Sequence, residues 1–179
     1  MPRLGVGLAI MRYGKILLTK RQDFPIWCLP GGEVEDNESI VEAALREAKE
    51  ETGLNVELIR FVGLYSRPNW WDGGSHEIIF SARVVGGELV TSSDETTDAK
   101  FYNPSELPED LVWWHHQRIL DALGPGKTVV RTQFVEVPYG SSREEMYRLR
   151  DQGEIPIEEF LKRLCGRAKP DLERLEIAT

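Results

Sequence analysis

Several features that point to other protein classes are scarce or absent in this sequence of 179 residues. Its two cysteines, Cys28 and Cys165, lie far apart and lack the close spacing of metal ligands. No disulfide framework is therefore expected, and the composition favours a reducing, cytoplasmic location with Cys28 as a buried structural thiol. No apolar stretch reaches the length of a membrane span, and the first residues lack a signal-peptide pattern, so no membrane contact is expected.

Positive charge is also in short supply. The formal net charge is −8, and the excess of acidic residues lies within residues 1–123. The sequence has no basic run and no basic face rich in aromatic residues, which argues against a nucleic-acid polymer as partner. It also has no P-loop and no dinucleotide fingerprint. His115 and His116 are adjacent on a predicted helix and point apart, so we do not expect them to share a metal ion.

The most informative segment is a predicted helix whose last turn carries three carboxylates. Glu47, Glu50 and Glu51 occupy positions i, i+3 and i+4, which share one helical face. Like charges at this spacing repel, and these also lie at the negative end of the helix dipole. A divalent cation would reverse the penalty, because Mg²⁺ binds clustered hard oxygens. The alternative is an acidic, solvated face of an amphipathic helix.

Local rules predict how this helix is built. Asn37 is a candidate N-cap that tolerates a left-handed backbone, and Gly53 suits the position after the last turn. Arg46 lies four residues after Glu42 and four before Glu50, so it can pair with both. The apolar stripe predicted to attach the helix to a sheet consists of Ile40, Val41, Ala44, Leu45 and Ala48.

The residues around the acids match a known pattern, in which a Pro-Gly-Gly turn precedes the helix. The matching positions are Gly32, Glu38, Arg46, Glu47, Ala48, Glu50, Glu51, Gly53 and Leu54. With this spacing the segment resembles the Nudix box of the Nudix hydrolase family, which includes MutT-like and ADP-ribose-pyrophosphatase-like members. Ala48 is the weak member of the match, being small where a larger apolar residue is common.

The resemblance implies an α/β fold, the Nudix-type α/β/α sandwich with a mixed β-sheet, over about residues 3–123. The sequence pattern agrees, because it predicts strands at 4–12, 15–20, 27–29, 56–65, 76–85 and 99–102 and helices at 38–52, 104–107 and 111–123. A Gly-Pro-Gly break at 124–126 divides the chain into a domain of residues 1–123 and an extension of residues 124–179. The extension is predicted as β-α-α, with a strand at 128–137, helices at 142–152 and 156–165, and fraying from Pro170.

The resemblance also implies roles for the matching residues. Mg²⁺, or alternatively Mn²⁺, would be bound by the Gly32 backbone carbonyl, Glu47, Glu50 and Glu51. One of these carboxylates would also accept a proton. Arg46 would hold the glutamates in position, and Glu38 would stabilise the turn that leads into the helix.

Candidate site residues also occur outside the helix. Nudix relatives carry an acidic residue in a loop before an aromatic pair, and Glu95 fits this position better than Asp98; the alternative for both is a solvated loop. The loop residues Trp70 and Trp71 are candidates for stacking on a base, although core packing or a dimer contact would also explain them. Arg67 is a third candidate for substrate binding, because residues 65–68 resemble a segment of ADP-ribose-pyrophosphatase-like members.

These features predict a metal-dependent Nudix pyrophosphohydrolase. Its substrate would be a small nucleotide, a nucleoside diphosphate linked to another moiety, which is either ADP-ribose-like or a nucleoside triphosphate. The alternative from a different class is a non-catalytic Nudix-fold module that senses a nucleotide. Intact acidic residues argue against that alternative, since a pure sensor need not keep all three.

The extension also suggests a homodimer. The β-prone run at 128–137 would leave an open edge unless it joined a sheet. The helix at 156–165 has an apolar face that must be buried somewhere, formed by Ile157, Phe160, Leu161 and Leu164. The alternative is that both elements fold back on their own chain.

Overall fold

The computed structural model describes residues 2–136 and 139–179. The strands are β1 (Arg3–Arg12), β2 (Lys15–Arg21), β3 (Trp27–Cys28), β4 (Leu54–Arg67), β5 (Ser75–Gly87), β6 (Thr96–Tyr102), β7 (Val129–Gln133) and β8 (Glu173–Ala178). The helices are α1 (Ile40–Thr52), α2 (Trp113–Leu123), α3 (Arg143–Asp151) and α4 (Ile157–Leu164), with 3₁₀ turns at Trp71–Gly73 and Pro170–Leu172. Val137, the predicted end of the strand at 128–137, lies outside the described residues.

The strands form one mixed sheet in the order β3-β2-β1-β5-β4-β7-β8, with β6 paired to β2. β1 runs antiparallel to β2 and parallel to β5, while β4 runs antiparallel to β5. Alternate residues of β1 face opposite sides, as a strand requires. Leu8 packs with α1 on one side, and Ala9 packs with α2 on the other. The predicted α/β/α sandwich with a mixed sheet is therefore confirmed.

The start of α1 differs from the prediction. Ser39, and not Asn37, is the N-cap: its side chain accepts from the Glu42 N–H, and the Glu42 side chain accepts from the Ser39 N–H. This reciprocal capping box satisfies two backbone donors, which a lone Asn cap cannot do. Asn37 does adopt a left-handed backbone, with φ 66°. At the other end Gly53 is left-handed, as predicted, and its N–H donates to the Lys49 carbonyl at 2.9 Å.

The buried face of α1 is also rotated from the predicted stripe. Ala44 and Ala48 are fully buried as expected, but Val41 and Leu45 are 49% and 41% exposed. Glu47 and Glu51 are buried in their place. The helix therefore turns two of its carboxylates inward, which an apolar stripe alone does not predict.

Two other elements differ from the predicted order. Residues 104–107 form a turn instead of a helix. The segment after Pro170 does not fray, because β8 pairs antiparallel with β7, from Val129 opposite Ala178 to Gln133 opposite Glu173. The extension is therefore β-α-α-β, and its second strand was missed because the run is short and rich in charge.

The extension folds back on its own chain. β7 pairs in parallel with β4 on one side and with β8 on the other, so neither of its edges is open. Phe160 and Leu164 of α4 are buried in a cluster that also includes Phe24 and Trp113. The strand edge and the apolar helix face on which the dimer prediction depends are thus both covered within one chain. The homodimer stays a prediction, but these two features no longer support it.

Candidate active site

A cavity of about 900 Å³ lies where the end of α1, the turn at 31–32, the Trp70–Trp71 loop and the start of α2 meet. The extension forms part of its wall through Arg143, Met146 and Tyr147 of α3 and Phe160 of α4. A volume of this size suits a nucleotide-sized ligand. The cavity has an acidic end formed by the α1 carboxylates and a donor-rich floor formed by residues of β4, β5 and α2.

Arg46 organises the acidic end. Its Nε and Nη2 donate to Glu38 at 3.1 and 2.7 Å, and its Nη1 donates to Glu47 at 2.8 Å and to Glu50 at 3.1 Å. Nη2 also donates to the backbone carbonyl of Glu33 at 3.1 Å. One guanidinium therefore ties the loop before α1 to two carboxylates of its last turns. The predicted pairing of Arg46 with Glu42 is wrong, because the Glu42 carboxylate instead accepts from the Ser39 N–H of the capping box at 2.8 Å.

Glu47 points at the glycine turn. Its residue is 7% exposed, and a Cβ built on Gly32 would lie only 2.3 Å from its Oε1 atom. Gly32 is thus required for the close approach of backbone and carboxylate. The Gly32 carbonyl accepts from the Val6 N–H at 2.9 Å, and a carbonyl oxygen has a second lone pair for another partner. Burial, reinforced by Glu50 and Glu95, raises the pKa of Glu47.

Glu51 is also buried, beside the same glycine turn. Its Oε2 accepts from the Gly31 N–H at 3.0 Å, and the residue is 8% exposed. Burial is the main reason that the pKa of Glu51 is raised to about 8, and the negative charges of Glu47 and Glu95 act in the same direction. Glu50 is exposed, and Arg46 is its partner.

The chemistry of this end fits a divalent cation. Among the described residues no three acidic, histidine or cysteine side chains already stand as a metal cluster. The oxygens present nevertheless belong to the hard type that Mg²⁺ prefers: the Gly32 carbonyl and the carboxylates of Glu47, Glu50 and Glu51. A cation would also relieve the cost of burying Glu47 and Glu51 as anions. These four residues are the ones that would hold it.

The two loop acids differ in position. Glu95 is exposed and lies on the rim of the cavity, close enough for its charge to act on Glu47 and Glu51. Asp98 lies on β6 opposite Lys20, and it is not among the residues that line the cavity. The placement favours Glu95 over Asp98 as a participant.

Trp70 and Trp71 belong both to the cavity wall and to a packed cluster. Their ring centroids are 4.9 Å apart, and Trp70 packs edge-on against Trp114 at 5.7 Å. The Trp71 indole N–H points to the Gly140 carbonyl at 3.4 Å. Both residues are half-buried. Trp70 and Trp71 are therefore partly packed in the core and also line the cavity. Stacking of a base on either ring stays a prediction.

The floor brings together Arg67 and two residues that sequence reasoning missed. The Arg67 Nη2 atom donates to one oxygen of Glu77, and the Arg118 Nη1 atom donates to the other. Arg67 Nε donates to the Ser75 hydroxyl at 3.0 Å. The Arg67 guanidinium carbon lies 4.4 Å from the ring centroid of Trp70. Arg67 and Glu77 line the cavity, whereas Arg118 lies behind them.

His115 of α2 is a structural acceptor. The Leu29 N–H donates to its Nδ1 at 2.8 Å, which fixes the chain just before the glycine turn. Burial, reinforced by the charges of Arg118, Arg67 and Arg21, lowers the pKa of His115 well below its ordinary value. The ring is therefore neutral at physiological pH.

The extension reaches the cavity through one further network that the sequence did not reveal. Arg21 makes a bidentate ion pair with Asp23 at 2.7 and 2.5 Å. The Tyr147 hydroxyl donates to the same carboxylate at 2.8 Å, and Arg143 Nε donates to the Tyr147 oxygen at 2.9 Å. Burial alone would raise the pKa of Asp23, but the bonds from Arg21, Tyr147 and the Phe24 N–H bring it below its ordinary value.

The chain is similar to known proteins in both sequence and fold. The NUDIX domain family matches residues 1–123. A putative 8-oxo-dGTP diphosphatase of Bacillus subtilis is 43% identical over 98 residues, which are 55% of this chain and 64% of that protein. An ADP-ribose pyrophosphatase of Methanocaldococcus jannaschii is 39% identical over 125 residues, covering 67% of this chain and 72% of that protein. A MutT NUDIX hydrolase of Burkholderia pseudomallei superposes with a TM-score of 0.60 and 28% identity, covering 68% of this chain and 98% of that one.

The chain belongs to the Nudix family. The resemblance seen in the box residues is confirmed, and so is the expectation of a Nudix pyrophosphohydrolase at the level of the family. The match with the Bacillus subtilis relative spans just under two thirds of that protein's length. In the described part of the chain, no helix combines the length and the apolar character needed to cross a membrane.

Proposed function

We propose that this protein is a metal-dependent hydrolase that cleaves the diphosphate of a nucleoside diphosphate linked to another moiety. The observation that carries the proposal is that Gly32, Glu47, Glu50 and Glu51 all line one nucleotide-sized cavity, with the Glu47 carboxylate against Gly32. Mg²⁺, or Mn²⁺, bound there would polarise the phosphate oxygens and lower the pKa of water. The named relatives support cleavage of a diphosphate bond.

The residues of the chain then have distinct tasks. Arg46 holds Glu47 and Glu50 in place, and the Gly31 N–H holds Glu51. One of the three carboxylates accepts the proton of the attacking water, which requires that it lie within hydrogen-bond reach of that water. The aromatic wall of the cavity offers Trp70 and Trp71 as surfaces for a base.

Two substrate types are consistent with this site. The Bacillus subtilis relative supports a nucleoside triphosphate, whereas the Methanocaldococcus jannaschii relative supports ADP-ribose. The two free cysteines, Cys28 buried and Cys165 partly buried, fit the cytoplasmic location that we propose.

A substrate panel tests the proposal. The purified chain is incubated with ADP-ribose, nucleoside triphosphates and oxidised deoxynucleoside triphosphates, with Mg²⁺, with Mn²⁺ or with excess chelator, and the products are identified. We expect hydrolysis with a cation and none with chelator. Thermal unfolding with and without Mg²⁺ gives a second readout, because a cation that binds the folded chain alone raises its stability. Binding of nucleotides without cleavage under any cation would instead identify a sensing module.

A further inference from the structure

Two buried guanidinium groups share a single carboxylate at the floor of the cavity. Arg118 is fully buried and Arg67 is 7% exposed. Both donate to Glu77, one to each oxygen. Two cations buried against one anion are unfavourable in a low-dielectric interior, unless another negative group joins them.

The other nearby acids do not balance this charge. Glu173 accepts from Gln133 at 2.7 Å, and Gln133 in turn accepts from Arg118 at 3.1 Å, so Glu173 is joined to Arg118 only through Gln133 and makes no bond to Arg67. Asp121 is bound by Arg131 at 2.7 and 2.9 Å. The surplus positive charge therefore lies on the side of the floor that faces the cavity.

Hydrogen-bond donors are in surplus at the same place. Among the described residues, Arg67 Nη1 has no hydrogen-bond partner, and Arg118 Nε is buried without one. His115 accepts through Nδ1, so the neutral ring carries its proton on Nε2, which lies 3.2 Å from Arg118 Nη1. Two donors therefore face each other there. Burial lowers the pKa of Arg118 to about 10, which leaves its charge in place at neutral pH.

The cavity-facing arginine is held in a defined orientation. Trp70 and Trp114 flank the Arg67 guanidinium, with ring centroids 4.4 and 5.5 Å from its central carbon. The Ser75 hydroxyl fixes Nε at 3.0 Å. Nη1 is consequently the nitrogen left for a ligand, and a preorganised guanidinium loses little freedom when it binds an oxyanion.

We propose that Arg67, with Arg118 behind it and His115 also in the cavity lining, forms a subsite for an anionic group of the substrate, a phosphate or a carboxylate. The proposal rests on the proposed function only in naming the substrate as the carrier of that group. The cavity is then bipolar: the α1 acids take a cation at one end, and Arg67 takes an anion at the floor. Substrates with a negative group in reach of both ends are preferred.

Binding of inorganic phosphate to metal-free protein tests the subsite without any turnover. The full chain is titrated in excess chelator at constant ionic strength, and tryptophan fluorescence is recorded because Trp70 and Trp114 contact Arg67. We expect a saturable response in the wild-type chain. Arg67→Gln should weaken phosphate binding about tenfold or more, since a charge-assisted hydrogen bond is lost. Acetate in place of phosphate measures the preference between the two anions.

The matched control is Arg83→Gln, which removes an arginine from an exposed pair with Glu57 on the same sheet. It should bind phosphate as the wild-type chain does. Arg67→Lys keeps the charge but loses the guanidinium fork that donates to Ser75 and Glu77, so it should also bind phosphate more weakly, and it replaces Arg67→Gln if that variant fails to fold. No saturable response in the wild-type chain, or an affinity equal to that of the wild-type chain in whichever Arg67 variant folds, would overturn the proposal.

Steady-state kinetics with Mg²⁺ identify which group the subsite binds. A loss of kcat/KM in Arg67→Gln that is equal for all nucleoside diphosphate substrates assigns it to the diphosphate itself. A loss confined to substrates with an additional acidic group assigns it to that group. An unchanged kcat/KM for every substrate would overturn the proposal. Because phosphate binding is measured without metal, a chain that hydrolyses nothing can still pass or fail the binding test.

Discussion

The two ends of the cavity are built in opposite ways. The acidic end comes from one continuous segment, residues 32–51, and its carboxylates lie one helical turn apart. The floor is assembled from β4, β5 and α2, and the extension supplies a neighbouring wall. A local motif can be read directly from sequence, whereas a site assembled from distant segments depends on strand register and helix packing. The acidic end is therefore the part of the cavity that the sequence predicts, and the floor is the part that only the structure reveals.

The largest effect on stability is expected from removing a large buried side chain of the extension from the core. Phe160 is 1% exposed, and its ring stacks on Phe24 at 4.6 Å. Phe160→Ala should lower the free energy of unfolding by about 3–5 kcal/mol, because it removes a large buried ring and leaves a void. Urea unfolding measures this. Ile157→Ala, at a position 37% exposed on the same helix, should have a clearly smaller effect. Equal losses in the two variants would show that α4 is only loosely attached.

A substitution at the acidic end of the cavity should lower kcat and leave the stability of the fold unchanged. Glu50→Gln keeps the size of the side chain and removes one charge at an exposed position. We expect kcat to fall by about 10²-fold or more, as when one preorganised electrostatic group is lost. Its unfolding curve should stay close to that of the wild-type chain. Glu57→Gln, at an exposed glutamate outside the cavity, is the matched control. Wild-type turnover in Glu50→Gln would remove Glu50 from the site.

These contrasts also explain what the sequence could predict. Helix α1, the β1–β2 hairpin and the strands β4 and β5 follow from periodicity and glycine positions, and the sandwich follows from the resemblance. The rotation of α1 could not be predicted, because counting Val41 and Leu45 as buried ignores the Arg46 and Gly31 contacts that draw Glu47 and Glu51 inward.

The sequence carries a weak indication of the cavity floor, which only the register of the sheet makes clear. Glu77 shares a face of β5 with Ile79, which is fully buried, so a carboxylate occurs where an apolar residue is expected. Arg118 similarly lies next to the fully buried Ile119 of α2 and is itself buried. Neither signal tells which partner neutralises the charge. The Glu77 pairing depends on residues 10 and 41 positions away, and no local rule reaches that far.

A smaller effect should separate the two loop acids. Glu95 lies on the rim of the cavity near Glu47 and Glu51, whereas Asp98 lies on β6 away from it. Glu95→Gln should reduce kcat/KM by about tenfold, near 1.4 kcal/mol of transition-state stabilisation. Asp98→Asn should stay close to the wild-type value. Steady-state kinetics on both variants measure the difference. Rates near wild type in both would leave catalysis to the helix acids, and a larger loss in Asp98→Asn would reverse the assignment.

The smallest effect tests whether the extension merely covers the cavity or also positions a residue within it. The Tyr147 hydroxyl donates to Asp23, and Asp23 holds Arg21 at the cavity wall. Tyr147→Phe keeps the ring and its stacking on Phe24 but removes this hydrogen bond. We expect unfolding to become easier by about 1 kcal/mol and KM to rise about fivefold with kcat little changed. Tyr139→Phe is the control, because that ring belongs to the same cluster but, within the described residues, its hydroxyl has no partner.

Separate measurement of KM and kcat distinguishes a role of Tyr147 in positioning Asp23 from a role in packing alone. If Tyr147 only packs, its Phe variant keeps every ring contact, and the KM of Tyr147→Phe should match that of Tyr139→Phe. If Tyr147 holds Asp23, the freed carboxylate lets Arg21 move, and substrate binding weakens while the helix acids keep their geometry. A fall in kcat with KM unchanged would contradict both and would place the Arg21–Asp23 pair in the chemical step itself.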